Sequence, residues 1–291
     1  MHLLPILSLA LLAAQTVVVA AQLSFEELQA QARSAHARGN REDAIRCLTQ
    51  AIALEPKSAR GYLLRAGFYD AIREPAKAVA DYDQALLLDP KLPAAWQGRG
   101  SAHFKLGHIA ESIADFDKFL ELSPGQSPHH WQRGISLYYA GRFDEGRKQF
   151  ELHQTVNSND VENAVWHYLC IARTNGVETA RATLIPIKGD TRVPMMEVHA
   201  LFAGKLKPED VLKAAGADDP PPALRNRQLF YAHLYVGLFF EATGDDPNAR
   251  NHITQAATLA AAGDYMSDVA RVHVQLRWPK ATSSPRAKSS R

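Results

Sequence analysis

The 291-residue chain is 46% hydrophobic and 22% charged, with 33 Lys plus Arg against 31 Asp plus Glu. These proportions belong to a folded globular protein and exclude a largely disordered chain, a collagen-like fibre and a miniature disulfide scaffold. Near neutrality leaves no footprint for specific nucleic-acid binding, and the length would suit about two ordinary domains.

Residues 3–21, LLPILSLALLAAQTVVVAA, carry no charge and end in small residues. They predict a cleavable signal peptide over 1–21, with Gln22 as the new N-terminus. The segment before the apolar run lacks Lys and Arg and has only the α-amine and His2, so an uncleaved anchor or an apolar first helix is the alternative. No Cys follows the run, which removes a lipid-attachment site. The expectation is a secreted or periplasmic, envelope-associated protein with no stable membrane span after cleavage.

A period of 34 residues then sets in. Pro56, Pro90 and Pro124 close the phrases AIALEP, ALLLDP and FLELSP. In phase with them run Ala32, Ala66, Gly100 and Gly134, and the large series Leu48, Tyr82, Phe116 and Phe150. Gly39, Gly107 and Gly141 mark a turn seven residues after the small position, with Arg73 in that slot of the second unit. Small residues let two antiparallel helices approach closely, and proline ends the second helix by lacking a donor. Four helix-turn-helix units follow, at 25–58, 59–92, 93–126 and 127–160. The fourth is altered, with Trp131 one place later than Trp96 and Ser158 replacing the proline.

The period fades over 161–229, a degenerate helical segment. It holds one helix at 164–176 and shorter pieces at 193–205 and 208–215, broken by Pro186, Pro194 and Pro220-Pro221-Pro222. Gly237, Gly244, Ala249 and Ala256 restore the phase at 230–262. An amphipathic helix at 264–277 completes a C-terminal repeat over 230–277 and is expected to cap the stack, since a terminal solenoid face otherwise exposes apolar surface. Residues 278–291, WPKATSSPRAKSSR, form a disordered basic tail. Removing its four cations leaves 29 basic against 31 acidic residues. The tail reads as a solubilising terminus, or as a weak contact for anionic polymers.

The in-phase prolines and small residues resemble the tetratricopeptide repeat. The resemblance implies an all-α, right-handed solenoid whose concave groove binds partner proteins or peptides. Four N-terminal repeats, the aromatic helix around Trp166 and Tyr168, an irregular middle and one late repeat also resemble the new-lipoprotein-I type of bacterial envelope adaptor. That implies partners such as envelope proteases or cell-wall hydrolases. The lipid-bearing cysteine of that family is missing here.

No nucleophile elbow, phosphate loop, dinucleotide fingerprint or zinc-protease motif occurs, so no catalytic residue, cofactor or metal is expected. His129 and His130 are adjacent, and His103 and His108 are five apart; neither spacing puts two ligands on one helix face. Cys47 and Cys170 fall in helices several packing distances apart, beyond the roughly 7 Å a disulfide allows between Cα atoms. Both are expected as small buried fillers.

By phase, the groove carries Glu26, Gln29, Arg33 and His36 in unit one and Arg60, Leu63, Gly67 and Asp70 in unit two. It continues through Ala94, Gln97, Ser101 and Phe104 in unit three, then Pro128, Trp131, Ile135 and Tyr138 in unit four. It grades from charged to aromatic, and the candidate partner-binding set is Arg33, Arg60, Gln97, Phe104, Trp131, Ile135 and Tyr138. Trp131 and Tyr138 either anchor a ligand or pack into the next unit. The paired Lys/Asn sites that clamp a peptide C-terminus are absent at these phases. Two other readings stand beside the scaffold: a structural protein self-associating, as a homodimer for instance, through exposed Phe239 and Phe240, and an enzyme with a site assembled from separate helices.

Overall fold

The computed structural model describes residues 23–261 and 263–279. The signal peptide expected at 1–21 and the tail from 280 onward lie outside the described residues. No strand occurs among those described.

Helices pair in succession: α1 (Phe25–Ala37) with α2 (Arg41–Leu54), α3 (Ala59–Ala71) with α4 (Pro75–Leu88), and α5 (Pro93–Leu106) with α6 (Ile109–Leu122). A 3-10 turn at Pro124–His129 leads to α7 (Trp131–Tyr139) and α8 (Phe143–Gln154), then α9 (Val161–Asn175) and the short α10 (Val177–Ala182). The irregular middle holds α11 (Met195–Phe202) and α12 (Pro208–Ala214). The late repeat is α13 (Pro222–Ala242) with α14 (Asp246–Leu259), followed by α15 (Tyr265–Arg277). α13 starts at Pro222 rather than 230, because Pro at the first helical turn has no donor to waste and favours helix initiation there. Ser24 opens α1 with a reciprocal capping box to Glu27, which satisfies two otherwise orphaned backbone donors.

The small-to-large pairing holds at the helix crossings. A Cβ placed on Gly100 would lie 2.8 Å from the Phe116 ring, and one on Gly134 2.7 Å from Phe150. The turn glycines Gly39, Gly107 and Gly141 have φ of +78°, +79° and +75°. Arg73 takes the same left-handed conformation at φ +65°, which costs a side-chain-bearing residue about 1 kcal/mol.

A second 34-residue series ties the units together. Arg65 bridges Asp81 at 2.7 Å and Thr49 at 3.0 Å, and Arg99 bridges Asp115 at 2.8 Å and Asp83 at 2.6 Å. Arg133 reaches Asp117 at 2.5 Å and Gln149 at 3.4 Å. Each guanidinium thus fastens the second helix of its own unit to the second helix of the unit before. The fork of five donors is what lets one side chain do both.

Unit junctions repeat as well. The Tyr62 hydroxyl donates to the Pro56 carbonyl at 3.4 Å, and the Trp96 indole donates to that of Pro90 at 2.8 Å. In the fourth unit His130 takes this slot, packed edge-on against Phe116 at 4.6 Å. Trp131, one residue on, is therefore rotated by about 100° around the helix axis.

Three apolar clusters form. One is confined to α1 and α2 and a second spans α3 to α5. The third is continuous from Phe104 through α7, α9, α11 and α13 to Val272 on α15. α15 does not cover the end of the stack as expected. It packs on α14 and turns back against α5, because Tyr265, Met266, Val269 and Val272 find apolar partners on the inner face rather than at the terminal one. Cys47 and Cys170 are buried and unbonded. No described helix is long and apolar enough to cross a membrane.

Candidate protein-binding groove

The first helices of the units contact one another along an inner face, α3 against α5 and α7 against α9. α15 divides this face into an open and a filled half.

In the filled half, Tyr265 stacks on Phe104 with ring centroids 5.3 Å apart and meets Trp131 edge-on at 5.2 Å. The Tyr139 hydroxyl pairs with His273 Nδ1 at 2.9 Å, and Gln275 donates to the Leu106 carbonyl at 3.0 Å. Gly107 leaves no room beneath that contact, since a Cβ there would lie 2.8 Å from Gln275. Phe104, Ile135 and Tyr138 are at most 1% exposed. The expectation that they present themselves to a partner is corrected: the chain's own last helix and α9 cover them. Tyr138 packs on Trp166 at 5.3 Å and donates to Glu241 at 3.4 Å. Trp131 stays half-buried.

Charge anchors α15 at both ends. Asp268 faces Arg271 at 3.2 Å, Lys105 at 3.7 Å and Arg73 at 3.8 Å, while Lys105 binds Asp70 at 2.7 Å. Burial raises the Asp268 carboxyl above its usual range, and the three cations counter this. At the other end Glu241 meets Arg277 at 3.0 Å, Arg173 at 3.7 Å and His273 at 3.7 Å. Burial pushes Glu241 up, opposed by the two arginines. It pushes the fully enclosed His273 down to about 3, with Arg277 and Arg173 adding to the effect. A charge leaving water without full compensation resists ionisation in this way.

The open half keeps Glu26, Arg33, His36, Arg60 and Gly67 exposed. Arg60 reaches Gln29 at 2.8 Å. Gln97 is half-buried, donating to Gln132 at 2.6 Å and pairing with His130 Nε2 at 2.6 Å. Where the halves meet, a cavity of about 450 Å³ lies between α3, α5 and α15, lined among others by Asp70, Arg73, Lys105, Asp268 and Arg271. Of the candidate residues the structure thus groups Arg33 and Arg60 on the open side, leaves Gln97 and Trp131 partly accessible, and buries the other three. The charged cluster at the seam was missed, because its members come from three helices and Asp268 lies far along the chain from the rest.

Phe239 and Phe240 are half-buried, against Phe202 at 5.6 Å and His252 at 5.6 Å. The exposed aromatic pair on which self-association was expected is packed inward, since both rings complete the large apolar cluster. No group of three or more His, Cys, Asp or Glu suited to a metal ion occurs among the described residues.

Residues 29–86 and 67–133 match two family models, each described as a tetratricopeptide repeat. No curated protein matches the chain. Among solved structures, a tetratricopeptide repeat protein from Parabacteroides merdae is 15% identical, over 85% of this chain and 98% of its own, with a TM-score of 0.58. The MamA RS-1 ArsTM double mutant is 14% identical, over 54% of this chain and 89% of its own, with a TM-score of 0.51. The first TPR of Spaghetti (RPAP3), solved bound to an HSP90 peptide, is 27% identical over 35% of this chain and 80% of its own, with a TM-score of 0.34. The two family models together span residues 29–133, about a third of the chain, and over that stretch the 34-residue helix pairs match the tetratricopeptide repeat.

Proposed function

We propose that this protein is an exported, non-enzymatic adaptor that holds a partner polypeptide on the open half of its inner face. The observation that carries the reading is the division of that face. α15 fills it from Phe104 onward, while Arg33, His36 and Arg60 stay exposed on α1 and α3, and a cavity of about 450 Å³ lies where the halves meet. Three cations against two carboxylates line that cavity, and Arg33 and Arg60 extend the basic character outward. A segment bearing carboxylates fits such a surface, with charge guiding encounter more than setting affinity. Envelope proteases or cell-wall hydrolases are the partner class we propose, on the resemblance to envelope adaptors.

Photo-crosslinking residues placed at Arg60 and His36, against a control at Leu87 on the outside of α4, test the reading in the native envelope fraction. Adducts specific to the inner positions, lost in an Arg33→Glu plus Arg60→Glu background when the probe is at His36, are the expected result. Equal labelling from Leu87 would refute it. Fusion of residues 1–40 to a reporter active only outside the cytoplasm tests export separately, and a silent reporter would remove that element.

A further inference from the structure

A second cavity, of about 340 Å³, lies between α7, α9, α13 and the start of α15, within the range of small-ligand pockets. Its walls are aromatic: Trp131, Trp166, Tyr231 and Tyr265 all line it. Asp160, Glu162, Asp264 and Arg192 supply its charge.

The charges do not balance. The Arg192 guanidinium meets Asp160 at 2.8 Å, Asp190 at 2.6 Å, and Glu162. Three carboxylates thus share one cation; two of them, Asp160 and Glu162, line the cavity, where Asp264 is the third. Four of the five donors of Arg192 are spent on Asp160, Asp190 and Glu162, at least one from each nitrogen, which leaves a single N–H on Nη1. Glu162 accepts a further bond from the Tyr235 hydroxyl at 2.7 Å. Burial still pushes its carboxyl up to about 7, against the pull of Arg192. Asn163, 3% exposed, also lines the cavity, and its Oδ1 is a buried acceptor without a partner.

We infer that this cavity is a binding site for an alkylammonium group. Ring faces attract a cation through their quadrupole, the surplus carboxylates lower the cost of taking it out of water, and Asn163 offers an acceptor to its N–H. A lysine side chain of a polypeptide and a free aliphatic amine share this chemistry. The site is independent of the open half of the groove, so either can fail without the other.

Calorimetric titration of the full chain at neutral pH with n-butylamine, and with n-butanol as its uncharged counterpart, tests the assignment. Saturable binding of the amine, at least tenfold tighter than the alcohol, is expected. Glu162→Gln weakens amine binding about tenfold, the loss of roughly 1.4 kcal/mol. Trp131→Leu, a change at a half-buried wall residue, gives a similar loss and serves if Glu162→Gln does not fold. A lysine tripeptide with blocked ends, compared with n-butylamine, separates the sources: tighter peptide binding assigns a polypeptide lysine, tighter amine binding a free ligand. Equal binding of amine and alcohol, or no saturable heat from the amine, overturns the proposal.

Discussion

The two ends of the molecule use one repeat in two ways. Along α1 to α5, apart from the contacts of Arg73 and Lys105 to Asp268, polar contacts link units at short range: Arg65 to Asp81 sixteen residues on, Arg60 to Gln29 thirty-one back, Lys105 to Asp70 thirty-five back. From α7 onward the partners are far apart in the chain. Tyr138 meets Glu241 across 103 residues, Tyr139 meets His273 across 134, and Gln275 meets Leu106 across 169. The first region is an array in which each unit depends on its neighbours. The second is closed by α15 into a continuous core. An inner face can therefore be a surface in one part of a repeat protein and an interior in another.

Ending the chain before Asp264 should break this contrast most severely. Phe104, Ile135 and Tyr139 would lose their cover, and we expect the C-terminal region to lose more than about 4 kcal/mol. Hydrogen exchange should show α7 to α14 deprotected while α1 to α4 stay protected. Uniform deprotection would mean that the two regions unfold as one.

Acid should act next, and again mainly on the C-terminal side. Burial holds His130 and His233 down to about 4 and His273 to about 3, whereas their unfolded forms bind protons near 6.5. Their stabilising effect is complete above pH 6.5 and lost as pH falls through their folded values. Glu162, raised to about 7, works the other way and returns stability as it protonates. We expect denaturation midpoints to fall between pH 6.5 and 4, and to fall further in Glu162→Gln. None of these groups lies in α1 to α4, whose exchange should respond least.

In the array, Arg99→Ala removes the partner of Asp115, a residue only 4% exposed, and should cost about 2 kcal/mol. The loss should be read as faster exchange in α5 and α6, without change at α13. The smallest effect is a gain. Arg73→Gly relieves the left-handed backbone at the loss of a 3.8 Å contact to Asp268, for a net stabilisation of up to about 1 kcal/mol. Urea midpoints should rise slightly, and a fall would show that the Asp268 contact outweighs the strain.

The repeated part of the fold was legible because its contacts lie one period or less apart. Gly100 with Phe116 and Gly134 with Phe150 announce themselves by spacing. The arginine series was equally legible and passed unread: Arg65, Arg99 and Arg133 keep the 34-residue step, and Asp81 and Asp115 follow two of them by sixteen. Trp131 carried a partial signal in its one-residue offset, the consequence of His130 holding the junction slot. The seating of α15 left no such trace. Its amphipathic pattern fits an end cap and a groove occupant alike, and nothing periodic connects Tyr265 to Phe104. Of the candidate groove, Arg33 and Arg60 are exposed, whereas Phe104, Ile135 and Tyr138 lack the access expected of them.

The return of α15 to α5 also determines how the protein would carry mechanical load. Tension between Phe25 and Arg277 need not pass along the whole stack. It can run through α1 to α5 and across the Gln275–Leu106 and Tyr265–Phe104 contacts, leaving α6 to α14 as a side branch outside the line of force. A pull on the two ends would peel α15 away first. The protein would then lengthen before its repeats began to separate.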